Sequence, residues 1–139
     1  MNISYWWLAI CMMLAFAALD DAEAAQQEVV AGALRNTSGT WELVNDQYHK
    51  PQGILGVAQT TTAIYVFFTH HADAIVTFVV NPDEIWAGDH GATCGPSVGL
   101  DYAVIRCTVP GAWGPVDPAG MQHETGNIWV YGIIERATP

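Results

Sequence analysis

The sharpest candidate chemistry is a serine inside a G-x-S-x-G motif, followed in the chain by an acid and a histidine. Ser97 lies in the sequence GPSVG, and Asp117 and His123 come later, in the order typical of α/β-hydrolases. That motif holds its serine on a strained turn between a strand and a helix. No helical periodicity follows Ser97, and Leu100 leads directly into another strand-like run. We therefore interpret the motif as a Gly/Pro turn that feeds a strand.

A second group with possible chemistry is the polar cluster His70, His71 and Asp73. Imidazole and carboxylate groups bind divalent metals, and a turn relaxes the rule that adjacent strand residues face opposite ways. A further ligand has to come from another polar loop, and the candidates are Asp46, His49 and His90. None of these residues has the spacing typical of a metal motif, so the sequence favours a solvated polar turn and predicts no metal and no cofactor.

The tryptophans give the best argument for binding. Trp113 lies in the sequence GAWGP within a long irregular stretch, residues 110–126, and a loop of that length is usually functional or packed by its own side chains. Exposed aromatic side chains on a β-scaffold suit contact with a protein or a carbohydrate surface. We predict a binding surface made by Trp113, Trp86 and His123. Trp41 and Trp129 are expected to be core filler.

The N-terminal segment predicts export. Residues 6–19 form an uninterrupted apolar run that has the length of a signal-peptide core and is too short for a membrane-spanning helix. The sequence AEA at residues 22–24 supplies the small residues that signal peptidase recognises, so we expect cleavage after Ala24 or Ala25. An uncleaved membrane anchor is the alternative. Secretion then predicts a disulfide between Cys94 and Cys107, which remain as an even pair after cleavage.

The composition limits the possible partners. The chain has 14 acidic residues against 4 Lys and Arg, for a formal net charge of −10. An acidic protein with scattered cations repels nucleic acid and anionic lipid head groups, so we expect neither as a partner, and no membrane association once the signal is cleaved.

Short β-like runs separated by turn residues follow the N-terminal segment. We predict a signal peptide over residues 1–24, a flexible lead-in over residues 25–39, in which residues 29–34 are at most a short edge strand, and a single β-domain over residues 40–139. Two adjacent runs, residues 62–69 and 74–80, indicate a hairpin with residues 70–73 at its tip.

The last two runs show the clearest alternation. In residues 102–109 the core face carries Cys107, and in residues 127–136 Trp129 is on the face opposite Ile128. No window is helical, so the sequence predicts an all-β fold, a small antiparallel β-sandwich or barrel of about seven strands.

Two stretches carry a resemblance to a known group. The sequence WELVNDQYHKPQGI at residues 41–54 resembles a pattern in which a tryptophan is followed by an Asn/Asp-Asp pair, a histidine and a Pro-x-Gly-Ile turn. Together with SVGL at residues 97–100 and GNIWVYG at residues 126–132, it is similar to small uncharacterised β-proteins of actinobacteria and their phages. The resemblance implies an exported or virion-associated β-domain, and it assigns no functional residue.

These observations lead to two functional hypotheses. The first is a secreted β-sandwich, associated with a cell envelope or a virion, that works by binding and has no catalytic centre. The alternative is a small secreted hydrolase or metal-dependent enzyme that uses Ser97 and His123, or the turn with His70 and His71. Geometry separates them, because the enzyme requires a histidine within hydrogen-bonding reach of Ser97, or two histidines and a carboxylate that converge.

Overall fold

The computed structural model describes residues 25–136, so the predicted signal peptide at residues 1–24 lies outside the described residues. The described part contains eight strands, a π-helical turn and a 3-10 turn. The strands are β1 (Gln26–Asn36), β2 (Trp41–Leu43), β3 (Ile54–Gln59), β4 (Ile64–Phe68), β5 (Ala74–Pro82), β6 (Thr93–Val98), β7 (Tyr102–Thr108) and β8 (Asn127–Arg136). The π-helical turn spans Ile85–Asp89, and the 3-10 turn spans Pro118–Gly120.

The strands form two antiparallel sheets that pack face to face. The first has the order β2-β1-β8-β5, and the second has the order β3-β4-β7-β6. At the sides of the sandwich, β5 runs beside β6 and β2 runs beside β3. The predicted all-β sandwich is therefore confirmed, with eight strands in place of about seven.

The core lies between the two sheets and comes from alternate residues of their strands. In β7 the buried side chains are Ala103, Ile105 and Cys107, as the alternation predicted, although Val104 on the opposite face is also largely covered. In β8, Ile128, Val130 and Ile134 are buried. Trp129 is 41% exposed on the outer face of its sheet, so the prediction that it fills the core is wrong, whereas Trp41 is buried as predicted.

The prediction of a flexible lead-in at residues 25–39 is also wrong. The strand β1 occupies most of that segment and pairs with β8 from Gln26 to Arg35, with β2 on its other side, so it is an interior strand. The strand signal in this segment is weak because Ala31, Gly32 and Ala33 have low β-propensity. Close packing explains the small residues, since a Cβ atom at Gly32 would lie 2.9 Å from methyl groups of both Ile54 and Leu43.

The predicted hairpin of residues 62–80 does not form. Strand β4 pairs with β3 and β7, whereas β5 pairs with β8, so residues 70–73 cross from one sheet to the other. The crossing is anchored to both sheets, because the amide of Ala72 donates to the carbonyl of Leu100 and that of Asp73 donates to the carbonyl of Glu135. Two consecutive apolar strands have the same local sequence pattern whether they pair in a hairpin or lie in different sheets. The local pattern therefore did not distinguish these two connections.

The predicted disulfide is present. Cys94 and Cys107 are directly opposite each other in the β6–β7 ladder, with their sulfur atoms 2.06 Å apart and their Cα atoms 4.1 Å apart. Cys94 lies within the edge strand β6, one residue from its start. The bond closes a short loop and staples the edge strand β6 to the interior strand β7.

Replacement of Cys107 by serine should lower the free energy of unfolding by about 2–5 kcal/mol, because the cross-link restricts the unfolded chain. Urea unfolding followed by tryptophan fluorescence measures this change. The double replacement Cys94→Ser and Cys107→Ser serves as the control, since it removes the bond without leaving a free thiol. Variants that unfold at the same urea concentration as the wild type would show that the bond does not stabilise the fold.

Candidate functional site

A cleft opens at one end of the sandwich, between residues 109–122 and the π-helical turn. Its volume is about 500 Å³, which is within the range of ligand sites. The lining is mostly apolar and comes from the two segments, with a polar edge on each. The lining residues are Trp86, His90, Val109, Pro110, Val116, Asp117, Gly120, Met121 and Gln122.

Trp86 lies at the base of this cleft. It belongs to the π-helical turn, and its backbone N–H donates to the carboxylate of Asp83 at 3.2 Å. The side chain is only 4% exposed and packs at a tilt against the ring of Trp41, with the two ring centroids 6.2 Å apart. Trp86 is therefore a core residue that shapes the cleft, and not the exposed contact residue that the sequence suggested.

Anchors at several points hold the loop at residues 110–126. The amide of Val116 donates to the carbonyl of Cys107 in β7, and the amide of His123 donates to the carbonyl of Asn36 at the end of β1. Between these two points, the carbonyl of Pro118 accepts two hydrogen bonds from buried side chains, from Asn36 Nδ2 at 3.0 Å and from Trp41 Nε1 at 2.8 Å. The long loop is thus an ordered wall of the cleft.

Trp113 lies in this loop and is exposed as fully as a tryptophan side chain can be, at 105% of its reference area. It follows a turn in which the amide of Ala112 donates to the carbonyl of Val109, and Gly111 adopts a φ of 84°, which favours glycine. The side chain is therefore not packed against the end of the sandwich. The exposed indole is apolar surface in contact with water, and its burial against a partner would be favourable in free energy.

His123 and His90 lie beside Trp86. The ring centroid of His90 is 5.2 Å from that of Trp86 and 6.4 Å from that of His123. The Nδ1 atom of His123 accepts hydrogen bonds from the amides of Thr125 and Gly126, at 3.1 and 3.0 Å. The neutral ring therefore carries its proton on Nε2, and His123 stabilises the turn that leads into β8.

The structure does not bring Ser97 and His123 together. Ser97 lies in β6 opposite Val104, on the outer face of its sheet, and a strand follows where a nucleophile motif requires a helix. Among residues 25–136, no hydrogen bond joins Ser97 to a histidine. The G-x-S-x-G sequence is thus part of an edge strand, not the turn before a strand that the sequence suggested.

The histidines of the crossover point to different carboxylates. His70 Nδ1 is 2.9 Å from Glu28 Oε2 on β1, and His71 Nδ1 is 2.7 Å from Asp101 Oδ1 at the start of β7. Asp73 is the next acidic residue along the chain and begins the approach to β5. Within the described residues, no three His, Cys, Asp or Glu side chains are close enough to hold a metal ion.

A smaller cleft of about 270 Å³ lies on the outer face of the first sheet. His49 packs at a tilt on the ring of Trp129 there, and the Nδ1 atom of His49 is 2.8 Å from the carboxylate of Asp46. The backbone N–H of Tyr48 and the His49 ring both stabilise the ionised carboxylate, so the pKa of Asp46 is lowered from its usual value of 3.8. These contacts order the loop between β2 and β3.

The outer face of the second sheet carries a group of aromatic side chains that the sequence analysis did not identify. The rings of Tyr65 and Phe67 are stacked 6.4 Å apart, and Tyr102 lies 5.8 and 5.9 Å from them. These residues come from neighbouring strands, so only the register of β4 and β7 reveals the group.

Comparison of the chain with protein-family models, with curated proteins and with solved structures finds no match. None of the helical segments within residues 25–136 has the length and the apolar character needed to span a bilayer.

Replacement of Gly126 by alanine tests the packing at the base of the cleft. A Cβ atom at this position would lie 2.8 Å from Trp86 Nε1 and 3.2 Å from the Cβ of His123. Since Trp86 is packed in the core, we expect a loss of about 1–3 kcal/mol in the free energy of unfolding. Gly120→Ala is the control, because open space surrounds that position in the same loop. Equal stability of the two variants would contradict the described position of Trp86.

Proposed function

We propose that the mature protein is an extracellular binding module, which contacts a protein partner through Trp113 and the adjacent cleft. The observation that carries the proposal is the full exposure of a tryptophan on a loop that is anchored to both sheets. Tryptophan is enriched among the residues that dominate binding energy at protein interfaces.

The order of the loop supports this proposal physically. A flexible loop loses conformational entropy when a partner binds, and that loss weakens the complex. Here the amides of Val116 and His123 are already bonded to the two sheets, and the carbonyl of Pro118 is fixed by two buried donors. The loop is therefore already ordered in the free protein. Less conformational entropy is lost when a partner binds Trp113.

The chemistry of the cleft favours a protein over a carbohydrate. Sugar recognition combines a ring platform with many polar groups that bond to hydroxyls, whereas the walls here are formed by Val109, Pro110, Val116 and Met121. Such walls suit the apolar part of a side chain from another protein. A carbohydrate partner remains an outcome that the binding experiment distinguishes.

Extracellular location is supported by two features. The described part of the chain is a small β-domain stapled by a disulfide, and such bonds persist in oxidising compartments. The apolar segment at residues 6–19, followed by small residues, is typical of a cleaved export signal. We propose that the partner is on a cell envelope or a virion surface, in line with the resemblance of the sequence.

Replacement of Trp113 by alanine should weaken binding by about 1–3 kcal/mol and leave the melting temperature nearly unchanged, because the ring makes no core contact. Retention of the labelled mature protein on source cells, and on particles from their culture, measures binding before and after glycosidase or protease treatment. Tyr48→Ala is the control, since Tyr48 is another loop aromatic and is 80% exposed.

Two results would contradict the proposal. The first is equal retention of Trp113→Ala and wild-type protein. The second is a fall of many degrees in the melting temperature of the variant, since a buried aromatic cut to alanine costs about 3–5 kcal/mol. Retention that protease leaves intact and glycosidase abolishes would replace the protein partner by a carbohydrate.

A further inference from the structure

We infer that the cleft beside Trp113 takes a cationic side chain, an arginine or a lysine, from a basic segment of the partner protein. This inference rests on the proposed binding function and adds the chemical class of the group that is recognised. It is carried by the combination of an apolar cleft, which Asp117 lines and which has no lysine or arginine among its lining residues, with the acidic residues of the segments that form it.

The segments that form the cleft carry an excess of negative charge. Asp117 lines the cleft, Asp89 precedes the lining residue His90, and Glu124 follows His123. Asp83 and Glu84 come just before the π-helical turn that carries Trp86. Besides Asp117, four further acidic residues therefore lie within three positions along the chain of a residue that lines the cleft.

The cations of the described chain are all engaged or placed elsewhere. Arg35 donates to Asn127, Lys50 lines the smaller cleft, and Arg136 is 3.5 Å from Glu28. Arg106 is in β7 opposite Gly95, on the outer face of the second sheet. Among the residues that line the main cleft, none is Lys or Arg, so a partner has to supply the positive charge.

Several of these carboxylates keep their capacity to accept hydrogen bonds. Glu84, Asp89 and Glu124 are exposed and make no hydrogen bond or ion pair within residues 25–136. Asp117 uses one oxygen to accept from the amide of Ala119 at 2.9 Å, which leaves its second oxygen for a ligand. Hydrogen bonds between charged groups are stronger than those between neutral groups.

The walls of the cleft fit the rest of such a side chain. Lysine and arginine pack their methylene stems against apolar surface while the charged head stays in a polar environment. Val109, Pro110 and Met121 provide the apolar surface, and Asp117 is at its polar edge. Trp113, in the same loop and fully exposed, offers a separate ring face that attracts a cation.

The acidic residues of these segments also argue against other occupants. Phosphate groups of nucleic acids and the acidic side chains of proteins are repelled by five carboxylates. A neutral ligand gains no ionic attraction from these carboxylates, whereas a cation does. The charge pattern therefore favours a cation.

The test uses blocked hexa-arginine as the probe and isothermal titration of the disulfide-bonded mature protein. Hexa-citrulline is the matched control ligand, because citrulline has the shape of arginine without its charge. We expect measurable binding of hexa-arginine at 150 mM NaCl and at least tenfold weaker binding of hexa-citrulline. Affinity for hexa-arginine should also rise at lower salt.

The matched variants are Asp117→Asn and Glu135→Gln. Asparagine keeps the oxygen that caps the 3-10 turn and removes the charge, while Glu135 is in β8, far along the strand from the cleft. We expect Asp117→Asn to weaken hexa-arginine binding about threefold to fivefold, the value of one partly exposed charge pair, and Glu135→Gln to change it less than twofold. Melting curves of both variants confirm that the fold is kept.

Failure of the wild-type protein to bind hexa-arginine would overturn the inference, as would equal affinity for hexa-citrulline or equal effects of the two variants. If retention on source cells still depends on Trp113, the binding function stands and only the cationic partner is wrong. If both experiments fail, the proposed function is wrong as well.

Discussion

The carbonyl of Pro118 is the point on which the candidate site depends. It accepts hydrogen bonds from Asn36 and Trp41, two buried side chains from β1 and β2 whose donors have no water available to them. A buried donor without a partner costs free energy. The Pro118 carbonyl therefore stabilises the sheet, and the two donors in turn fix the position of the loop. With Val116 bonded to Cys107 in the other sheet, the loop bridges the open end of the sandwich. The cleft is the space between this loop and the π-helical turn.

The sequence predicted the parts of the fold that local patterns encode. Alternation in β7 assigned its core face correctly, and in β8 it separated the two faces, although Trp129 was wrongly expected in the core. The two cysteines that remain after the predicted signal cleavage predicted the disulfide. Local patterns do not encode which strands pair, so β4 and β5 looked like a hairpin although they lie in different sheets. In β1, the small residues Ala31, Gly32 and Ala33 weaken the strand signal, and at Gly32 the close approach of Ile54 and Leu43 leaves no room for a side chain.

The candidate site was predictable only in part. The length of the loop and its Gly and Pro residues indicated a functional segment, and the structure adds that Trp113 is exposed and that the loop is ordered. The burial of Trp86 and the exposure of Trp129 depend on contacts from distant strands, so no local signal separated the two residues. The net charge was evident from the sequence, but the position of Asp117 at the edge of a cleft that no lysine or arginine lines required the fold.

The loop at residues 110–126 is an ordered wall of the cleft and not a flexible connection. Hydrogen exchange of the backbone amides, measured by NMR on the mature protein, tests this claim most directly. The amides of Val116 and His123, which donate to carbonyls of β7 and β1, should exchange far more slowly than in an unstructured peptide. Exchange of both amides at the rate of an unfolded chain would show that the loop is not anchored, and would contradict the account.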